Sequence, residues 1–346
     1  MKTASLIKPG KITIREVAKP EIISDTDVLL KIMAVGICGS DIHYFLNGRI
    51  GDQIIDYPFT PGHECAAVVE KTGPKATRLK PGDRVAVDPA VSCGRCDQCL
   101  MGRPHTCRKL RFLGCPNQLE GCLSEYIVIP EQNCYPFDKS MTFTQGVLVE
   151  PLSIAVYAVN HLHDIKADKI GILGSGPIGL SVLLAAQKAD IPAIYITDKI
   201  QSRIEAALNA GAIWGGNPDE SDIVEVIQNQ TSGLDVVFEC CGDQTALDQA
   251  IELLNPGGKL LILGIPEIDR ISFNISRLRH KEISIQNIRR QNQCFQTAID
   301  LIKNGSVEVD FMATHTFPLS KAQNAFELAS SYRDGVIKAI ISLNTS

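Results

Sequence analysis

The sequence lacks any apolar run of membrane-spanning length and any long run of charge of one sign. Its longest apolar stretches are interrupted by Lys31 or Glu150, which leaves them well short of the uninterrupted run that a bilayer requires. The net charge of −5 is spread over 346 residues, so we expect neither membrane nor nucleic acid among the partners. Residues 1–17 are punctuated by basic side chains and have no continuous apolar core, so we expect no secretory signal. Internal repeats and low-complexity tracts are missing as well.

Cysteine, in contrast, is abundant, with 12 residues. Without a secretory signal, this number indicates a reducing cytoplasm and metal binding in preference to disulfides. One group has the spacing C-x2-C-x2-C-x7-C and consists of Cys93, Cys96, Cys99 and Cys107. Four thiolates so close together repel one another unless a metal holds them, as a closed tetrahedral zinc site does. We predict a structural zinc here, with an iron–sulfur cluster as the nearer alternative and unrelated buried thiols as the remoter one.

The chain is longer than a single hydrophobic core usually supports, and its pattern changes part-way along. Up to residue 149, short β-rich runs at 28–35, 66–70 and 84–87 alternate with Pro-Gly turns, which is typical of a compact β-barrel or folded sheet. From Asp168 onward, apolar strands alternate with helical periodicity, the βαβ pattern of a doubly wound parallel sheet. The predicted fold class is therefore α/β, and the tail after residue 288 is expected to return to the first part.

The elements of the second part are predicted from the periods of their apolar residues. Strands are expected at 169–173, 193–197, 235–239, 259–265 and 282–288, and helices at 178–189, 201–210, 244–254 and 294–303. The sequence Asn-Pro-Gly-Gly at 255–258 is expected to form a turn between a helix and the next strand.

A glycine-rich turn, Gly-Ser-Gly-Pro-Ile-Gly at residues 174–179, follows the first of these strands directly and opens the next helix. In that context the first glycine permits a tight turn, the second lets the backbone approach a pyrophosphate, and the third lets helix and strand pack closely. Asp198 ends the next strand, where a carboxylate accepts hydrogen bonds from an adenosine ribose. NAD is favoured because a carboxylate repels a 2′-phosphate, although Lys199 and Arg203 keep NADP open. Taken alone, Asp198 is equally typical of a helix N-cap. A glycine-rich turn that binds no ligand is the plainer interpretation of residues 174–179.

Three further segments carry residues typical of a catalytic metal site. Residues 36–44 bring together a thiol, a hydroxyl, an imidazole and a phenol, residues 61–64 supply an imidazole and a carboxylate, and Glu150 stands alone in an apolar run. A lone carboxylate in such a run is costly unless a cation or hydrogen-bond donors meet it. Each has a plainer interpretation when taken singly: Cys38 as a small core residue, His63 as a satisfied polar group and Glu150 as a helix-start carboxylate. Their occurrence together with a nucleotide fold favours the metal site.

These features resemble the zinc-dependent medium-chain dehydrogenases, and within them the polyol branch typified by sorbitol and xylitol dehydrogenases. The resemblance covers essentially the whole chain and is carried by residues 36–51, Gly62-His-Glu64, the four-cysteine loop, Glu150-Pro-Leu152, the glycine-rich turn with Asp198, and Asn287-Ile-Arg-Arg290. It implies a GroES-like β-barrel catalytic domain, residues 1–149 and 288–346, interrupted by a Rossmann NAD-binding domain, residues 150–287. It also implies two zinc ions per chain, one catalytic and one structural, with NAD as the second cofactor.

The same resemblance implies roles for individual residues. Cys38, His63 and Glu64 would ligate the catalytic zinc, and Glu150 would hold its water or exchange as a fourth ligand. An open zinc site lowers the pKa of a bound hydroxyl, so that an alkoxide forms and its carbon delivers hydride to the nicotinamide. The proton would leave through Ser40 and His43, for which a helix cap or surface histidine is the plainer interpretation. The cofactor would be bound by Gly174, Gly176, Pro177, Ile178, Gly179, Asp198, Arg203 and Arg289.

Substrate contacts also follow from the resemblance. Tyr44, Glu150 and Arg289 match positions that contact polyol hydroxyls in sorbitol dehydrogenases, which favours a hydroxyl-rich alcohol oxidised at a secondary carbon. Arg290 departs from the pattern, because the animal enzymes carry an aromatic residue there; they also lack the four-cysteine site. Adjacent guanidinium groups recognise carboxylate or phosphate well, so a sugar acid such as an aldonate, or a hexitol phosphate, stays an alternative substrate. Arg290 facing solvent or the cofactor pyrophosphate is the plainer interpretation.

The same residues weigh against other classes of function. A zinc-free reductase would lack the set of catalytic zinc ligands, and a non-enzymatic nucleotide-binding protein would have no need for an open metal site. A threonine or simple alcohol dehydrogenase shares the zinc ligands, but Tyr44 and residues 47–51 look like the polyol branch. The resemblance finally implies a homo-oligomer, a dimer or tetramer, in which the strand at 282–288 pairs across a two-fold axis.

Overall fold

The computed structural model describes residues 1–266 and 268–343. The chain divides into two compact units, the first made of Met1–Glu150, Phe295–Gly305 and the residues from Val309 onward, and the second of Pro151–Cys294 and Ser306–Glu308. The breaks between units fall at 150/151 and 294/295, and the domain limits at 149/150 and 287/288 stay a prediction. Over the described residues, none of the helices combines the length and apolar character needed to cross a membrane.

The first unit begins with strands and three helices, each of which carries at least one predicted site residue. Up to the unit boundary its elements are β1 (Lys2–Lys8), β2 (Lys11–Glu16), β3 (Asp27–Gly36), α1 (Gly39–Asn47), β4 (Arg49–Ile50), β5 (Gln53–Ile54), β6 (Glu64–Thr72), β7 (Arg84–Val87), β8 (Ala90–Val91), α2 (Asp97–Leu100), β9 (Arg111–Phe112), β10 (Tyr126–Pro130), β11 (Cys134–Pro136) and α3 (Phe143–Asn160). Single 3₁₀ turns lie at Pro104–Thr106 and Glu131–Asn133.

The remaining elements form the second unit and the return to the first. They are β12 (Lys169–Leu173), α4 (Pro177–Lys188), β13 (Ala193–Thr197), α5 (Gln201–Asn209), β14 (Trp214–Gly216), α6 (Ile223–Gln230), β15 (Leu234–Glu239), α7 (Gln244–Leu253), β16 (Leu254–Ile262), α8 (Ile275–Lys281), β17 (Ser284–Asn287), α9 (Phe295–Lys303), β18 (His315–Pro318), α10 (Ala322–Ser331) and β19 (Ala339–Ser342). Further 3₁₀ turns lie at Asp310–Met312 and Leu319–Lys321.

The main sheet of the first unit follows the order β11-β7-β6-β3-β19-β18, and β10 also pairs with β3. All of its pairs are antiparallel except β18 with β19. β3 is the central strand, since β6, β10 and β19 all pair with it. Most of its side chains are apolar and buried in the core of the first unit. β19 is therefore held beside the strand that leads into the first candidate site segment.

The second unit is a parallel sheet in the order β14-β13-β12-β15-β16-β17. Numbered from β12, this is the order 3-2-1-4-5-6 of a Rossmann fold, in which ligands bind where the strand order reverses, at the carboxyl ends of the strands. Here that reversal lies between β12 and β15, which pair from Ile170 with Val236 to Leu173 with Glu239. The fold places the glycine-rich turn, which follows Leu173, at this switch point.

Two sequence predictions differ from the structure. Residues 255–258 lie inside β16 and do not form a turn between a helix and a strand. Leu254 pairs with Leu234 and Lys259 with Val236, so the four residues bulge out of the strand between two paired positions. The helices α1, α2, α3, α6, α8 and α10 were not among the expected elements. Of these, α3 contains Pro151, a residue that disfavours helix interiors.

Candidate metal and dinucleotide sites

Cys38, His63 and Glu64 form a group of candidate metal ligands, here called the mixed group, which the pairing of β3 with β6 brings together. The strands run antiparallel with Gly36 opposite Glu64, so the residues just after β3 meet those at the start of β6. Cys38 stands at the N-cap of α1, where the helix N-terminus favours negative charge. The ligand atoms of Cys38, His63 and Glu64 lie within 4.8 Å of one another. The structure therefore brings together the three residues predicted as ligands of the catalytic zinc.

Gly36 makes this arrangement possible. A Cβ at residue 36 would lie 2.3 Å from Oε2 of Glu64 and 2.8 Å from Cγ1 of Val147. The Glu64 side chain therefore folds back over β3 through space that any larger residue would fill.

Asp41, which the sequence analysis did not single out, ties the two ligand segments together. Its carboxylate accepts hydrogen bonds from the backbone N–H groups of Cys38 and Gly62, both at 3.0 Å, and is only 1% exposed. Its Oδ1 lies 3.6 Å from Nδ1 of His63. Burial acts to lower the pKa of His63, but the charges of Asp41 and Cys38 outweigh it and hold that pKa well above its usual range. The signal for Asp41 was available, since an acid three residues after an N-cap is typical of a capping box.

Lys338 is a second residue that the sequence analysis missed. It precedes β19, and its ammonium pairs with Oε2 of Glu64, both side chains being 1% exposed. The same nitrogen lies 3.4 Å from the carbonyl oxygen of Ile37. A lysine inside the apolar run 336–341 is the kind of signal that pointed to Glu150.

Glu150 lies on α3 and is buried, but it does not belong to the group of three ligand atoms. The pKa of Glu150 is raised to about 7, chiefly by burial and in part by the charge of Glu64, while His63 and Lys338 act in the opposite direction. Glu150 is therefore within electrostatic reach of the mixed group. Its predicted part as water holder or fourth ligand stays a prediction.

The other predicted residues of this region lie on α1. Ser40 and His43 are three positions apart, hence on one side of the helix, and both are partly exposed. Tyr44 is 3% exposed, and its hydroxyl donates a hydrogen bond to Oε1 of Gln53 at 2.9 Å. Its predicted contact with a substrate stays a prediction.

The four-cysteine loop forms a compact group of sulfur atoms. The thiols of Cys93, Cys96, Cys99 and Cys107 lie within 4.8 Å of one another. Sγ of Cys96 is 3.5 Å from Sγ of Cys99 and 3.8 Å from Sγ of Cys107. In a tetrahedral site with Zn–S bonds of about 2.3 Å, the sulfurs stand about 3.8 Å apart.

This geometry fits one metal ion, because the cysteines of a [4Fe–4S] cluster each bind a different iron and are spread farther apart. Backbone N–H groups of Cys93 and Lys109 point at Sγ of Cys107, each at 3.3 Å. Hydrogen bonds from the backbone, above all from Cys99, lower the pKa of Cys96 to about 6, whereas burial raises the pKa of Cys99 to about 11. A divalent cation would let all four thiols ionise together.

The glycine-rich turn has the shape expected of a dinucleotide cradle. Gly174 has a φ of 101°, in the region that favours glycine. A Cβ at Gly179 would lie 1.8 Å from the carbonyl oxygen of Gly174, so only glycine lets α4 approach β12 this closely. Among the described residues, a Cβ at Gly176 would meet only Arg203, at 3.5 Å, which leaves the Gly176 backbone open to a ligand. Oγ of Ser175 is buried and hydrogen-bonds to no described residue. Together these features fit a bound pyrophosphate.

Asp198 holds the glycine-rich turn to the next strand. Its carboxylate accepts hydrogen bonds from the N–H groups of Ser175 at 2.7 Å and Ile200 at 2.9 Å. The N-cap of α5 is Ile200, so the alternative of Asp198 as helix N-cap is wrong. The side chain is partly exposed and keeps lone pairs for a further donor.

The predicted basic residues of the second unit lie at different depths. Arg203 is buried on α5, close to Gly176. Arg289 is exposed, whereas Arg290 is partly buried and has a φ of 56°, which is unusual for a residue with a side chain. Neither arginine belongs to the first unit, which holds Tyr44 and Glu150.

Comparison with known proteins gives the family. The alcohol dehydrogenase GroES-like domain matches residues 24–139, and the zinc-binding dehydrogenase domain matches residues 177–304. Sorbitol dehydrogenase of Bacillus subtilis (strain 168) is 35% identical over 343 residues, which are 99% of this chain and 97% of that protein. The chain belongs to the polyol branch of the zinc-dependent medium-chain dehydrogenases.

Other dehydrogenases and solved structures are also similar to this chain. L-idonate 5-dehydrogenase of Vitis vinifera is 31% identical over 92% of this chain and 88% of its own length. The crystal structure of an Escherichia coli oxidoreductase of unknown specificity, involved in membrane biogenesis, has a TM-score of 0.93 and 32% identity over 99% of both chains. A short chain alcohol dehydrogenase from Escherichia coli CFT073, complexed with NADH, has a TM-score of 0.89 and 27% identity over 99% of both chains.

Membership confirms the predicted α/β fold with a GroES-like and a Rossmann part. As a zinc-dependent polyol dehydrogenase the chain is an oxidoreductase that acts on CH–OH groups of small molecules, with zinc and a nicotinamide cofactor. The zinc-free reductase and the non-enzymatic nucleotide-binding protein are therefore not supported.

Proposed function

We propose that this dehydrogenase oxidises a secondary hydroxyl of a sorbitol- or xylitol-like polyol to a ketone, with NAD as hydride acceptor. The observation that carries the proposal is the mixed group, in which Cys38, His63 and Glu64 offer sulfur, nitrogen and oxygen within 4.8 Å. Three protein ligands of this kind are typical of catalytic zinc, which keeps one position open. The identity of 35% with a sorbitol dehydrogenase supports the polyol as substrate.

Each of the following side chains has a proposed role in the reaction. Zinc, when bound, acts as a Lewis acid that lowers the pKa of an alcohol, and NAD accepts the hydride. Asp41 orients the ring of His63 and fixes the backbone before Cys38. The buried carboxyl of Glu150 holds water or a substrate hydroxyl beside the ligands. The hydroxyl of Ser40 and the imidazole of His43 carry the proton along one side of α1 to solvent.

The choice of NAD and the number of metals belong to the same proposal. The Asp198 carboxylate disfavours a 2′-phosphate, and Lys199 is engaged with Asp219 at 3.4 Å. Among the similar structures, one is complexed with NADH, and a zinc-binding dehydrogenase from Sinorhizobium meliloti 1021, with 27% identity, is bound to NADP. We propose NAD as the preferred cofactor, and two zinc ions per chain because the structure holds two separate groups of ligand atoms.

A sugar acid is the second candidate substrate. The relative from Vitis vinifera acts on L-idonate, and Arg290 adds a guanidinium next to Arg289, which matches a carboxylate or phosphate. Steady-state kinetics with hexitols, pentitols, aldonates and their phosphates separates the two substrate classes. A higher kcat/KM for sorbitol or xylitol than for every acidic analogue supports the neutral polyol, and the reverse order supports the acid.

We propose a homo-oligomer in which β17 pairs with β17 of a second copy. β17 is an edge strand of the parallel sheet and carries backbone groups that a second strand can pair with. Sedimentation velocity tests this point, and a single species at the monomer mass of 37.6 kDa would contradict it.

The catalytic metal is tested by Cys38→Ser, with Cys294→Ser as the matched control. Cys294 is a buried thiol outside both ligand groups. We expect Cys38→Ser to lose one of two zinc ions and turnover with polyols, and Cys294→Ser to keep both metals. Zinc analysis and kinetics on the two variants decide the matter. Full activity of Cys38→Ser would overturn the proposed site.

A further inference from the structure

A cleft of about 700 Å³ lies in the first unit, and none of the described residues that line it belongs to either group of candidate metal ligands. Its walls come from the chain that follows β2, from β10 and from residues 111–121. Apolar residues predominate in this lining, and the volume is typical of small-molecule sites, which measure about 300–1,000 Å³. Ile23, which is 95% exposed, lines the cleft, so a ligand packed against it would remove apolar surface from water.

Two guanidinium groups at this cleft are available to a ligand. Arg15 on β2 and Arg111 on β9 are both exposed, and within residues 1–266 and 268–343 neither side chain has a hydrogen bond or an ion pair. Three acids also line the cleft, but Asp27 and Glu120 each accept a hydrogen bond from a backbone N–H. The charged groups without a partner are therefore two guanidiniums and the carboxylate of Glu21. Guanidinium groups beside apolar walls match an organic anion with an apolar body.

The start of the segment 111–121 has one face on the cleft and the other on the mixed group. Arg111 and Leu113 line the cleft, whereas the ring of Phe112 packs on the ring of His63 with the centroids 5.3 Å apart. This is the alternation of side chains expected for a strand. Thr60, which also lines the cleft, is only three residues before His63 in the chain. A ligand in the cleft would therefore lie behind residues that contact or lead to a candidate metal ligand.

The rest of this segment repeats the arrangement. Leu113 forms a β-bridge with Leu119, and both leucines line the cleft. Cys115, which lies between them in the chain, has its Sγ 3.8 Å from the hydroxyl of Tyr44. The residue predicted to contact a substrate is thus next to the same short loop that forms a wall of the cleft.

We propose that this cleft is an effector site for an organic anion with an apolar body. Arg15 and Arg111 supply hydrogen-bond donors to the anionic group, and Ile23 and the two leucines cover the apolar body. The effector acts through the segment 111–121, whose opposite face contacts His63 and Tyr44. Binding in the cleft is independent of the proposed function, whereas the effect on catalysis rests on it.

Binding is tested with decanoate as the probe, by isothermal titration calorimetry on the full-length enzyme loaded with zinc and NADH. Acetate lacks the apolar body and decyltrimethylammonium reverses the charge, so we expect both to bind more weakly than decanoate. Arg111→Gln should raise the dissociation constant of decanoate at least about fivefold, and Ile23→Ser at least about threefold. Because both side chains are exposed, neither change should prevent folding.

Each of these variants has a matched control. Arg78→Gln removes an exposed arginine of the first unit that does not line the cleft, and Ile275→Ser removes an isoleucine of the second unit that is 68% exposed. We expect both controls to bind decanoate as the natural chain does. A carboxylate also coordinates an open zinc, so this comparison decides which site is titrated.

Kinetics test the route from the cleft to the reaction. Saturating decanoate should change kcat at saturating sorbitol at least about twofold in the natural enzyme, and less in Arg111→Gln at the same concentration. Inhibition that sorbitol abolishes would place decanoate in the substrate site and overturn the inference. So would equal decanoate affinity in the natural chain, Arg111→Gln and Ile23→Ser, an unchanged kcat, or tighter binding of decyltrimethylammonium than of decanoate. Failure of the enzyme to oxidise any polyol would instead overturn the proposed function, while calorimetry would still decide whether the cleft binds an anion.

Discussion

The third glycine of the glycine-rich turn offers the sharpest test of the dinucleotide site. In Gly179→Ala, the new Cβ would lie 1.8 Å from the carbonyl oxygen of Gly174. Either that carbonyl or the start of α4 must then move by more than about 1 Å to restore van der Waals contact. Because Gly174 belongs to the turn itself, the movement displaces the backbone that is proposed to bind the pyrophosphate.

The structure also gives the size of the effect. Overpacking costs about 1–3 kcal/mol, and alanine regains about 1 kcal/mol of helix propensity, so the free energy of unfolding should fall by at most about 2 kcal/mol. Loss of one charge-assisted hydrogen bond to phosphate, at about 1.5–3 kcal/mol, raises the dissociation constant of NADH at least about tenfold. Both quantities are accessible, the first by urea denaturation and the second by the fluorescence of bound NADH.

Gly176→Ala is the matched variant in the same turn. Gly176 has φ −69° and ψ −173°, which alanine adopts freely, and the new Cβ would meet only Arg203 at 3.5 Å. We expect stability within about 0.5 kcal/mol of the natural chain, but weaker NADH binding, because the Cβ would take up space proposed for the pyrophosphate. Natural stability and NADH affinity in Gly179→Ala would refute the reasoning for the third glycine. Unchanged NADH affinity in Gly176→Ala would remove the pyrophosphate from this turn.

Three further predictions concern the metal groups and the cofactor. Asp41→Asn replaces one acceptor oxygen by an amide donor that faces a backbone N–H, so the free energy of unfolding should fall by about 1–3 kcal/mol in urea denaturation. Unchanged stability would mean that the carboxylate does not hold the Cys38 and Gly62 segments together. Cys99→Ser should release the zinc of the four-cysteine loop while the mixed group keeps its own, and zinc analysis that finds both ions gone would show that the two groups are coupled. Asp198→Ala should weaken NADH binding by about tenfold and reduce the preference of the enzyme for NADH over NADPH. Fluorescence titrations with both cofactors measure this preference, and an unchanged value would mean that Asp198 is not its source.

Local pattern was sufficient for only part of the second unit, because β14, α6 and α8 were not among the expected elements. The strands β12 and β13 were predicted to the residue, and the helices to within one residue at most ends, because apolar periodicity and the glycine-rich turn are properties of neighbouring residues. The bulge at 255–258 shows the limit of this reasoning. Proline and glycine there predict a departure from regular structure, but only the pairing with β15 decides that the chain continues in the same strand.

The mixed group depended on contacts that no local pattern contains. Cys38, His63 and Glu64 were found because their residue types are rare together and resemble a family. Asp41 acts through hydrogen bonds to Cys38 and Gly62, which become neighbours only when β3 pairs with β6. Lys338 is brought in by the pairing of β19 with β3, a relation between distant segments. Tyr44 was singled out because it matches a substrate-contacting position of the sorbitol dehydrogenases; that contact stays a prediction, and the hydrogen bond from its hydroxyl to Gln53 was not foreseen.

The separation of Lys338 from Glu64, 274 residues along the chain, has a consequence for biosynthesis. The sulfurs of the four-cysteine loop come from residues no more than 14 positions apart, so this loop can capture a metal as soon as it leaves the ribosome. At about 5–20 residues per second, the remaining chain takes tens of seconds to appear. With the two zinc sites proposed above, a nascent chain would therefore acquire the sulfur-bound ion first. In a cell short of zinc, unfinished chains would sequester the ion in the loop before any of them can become active.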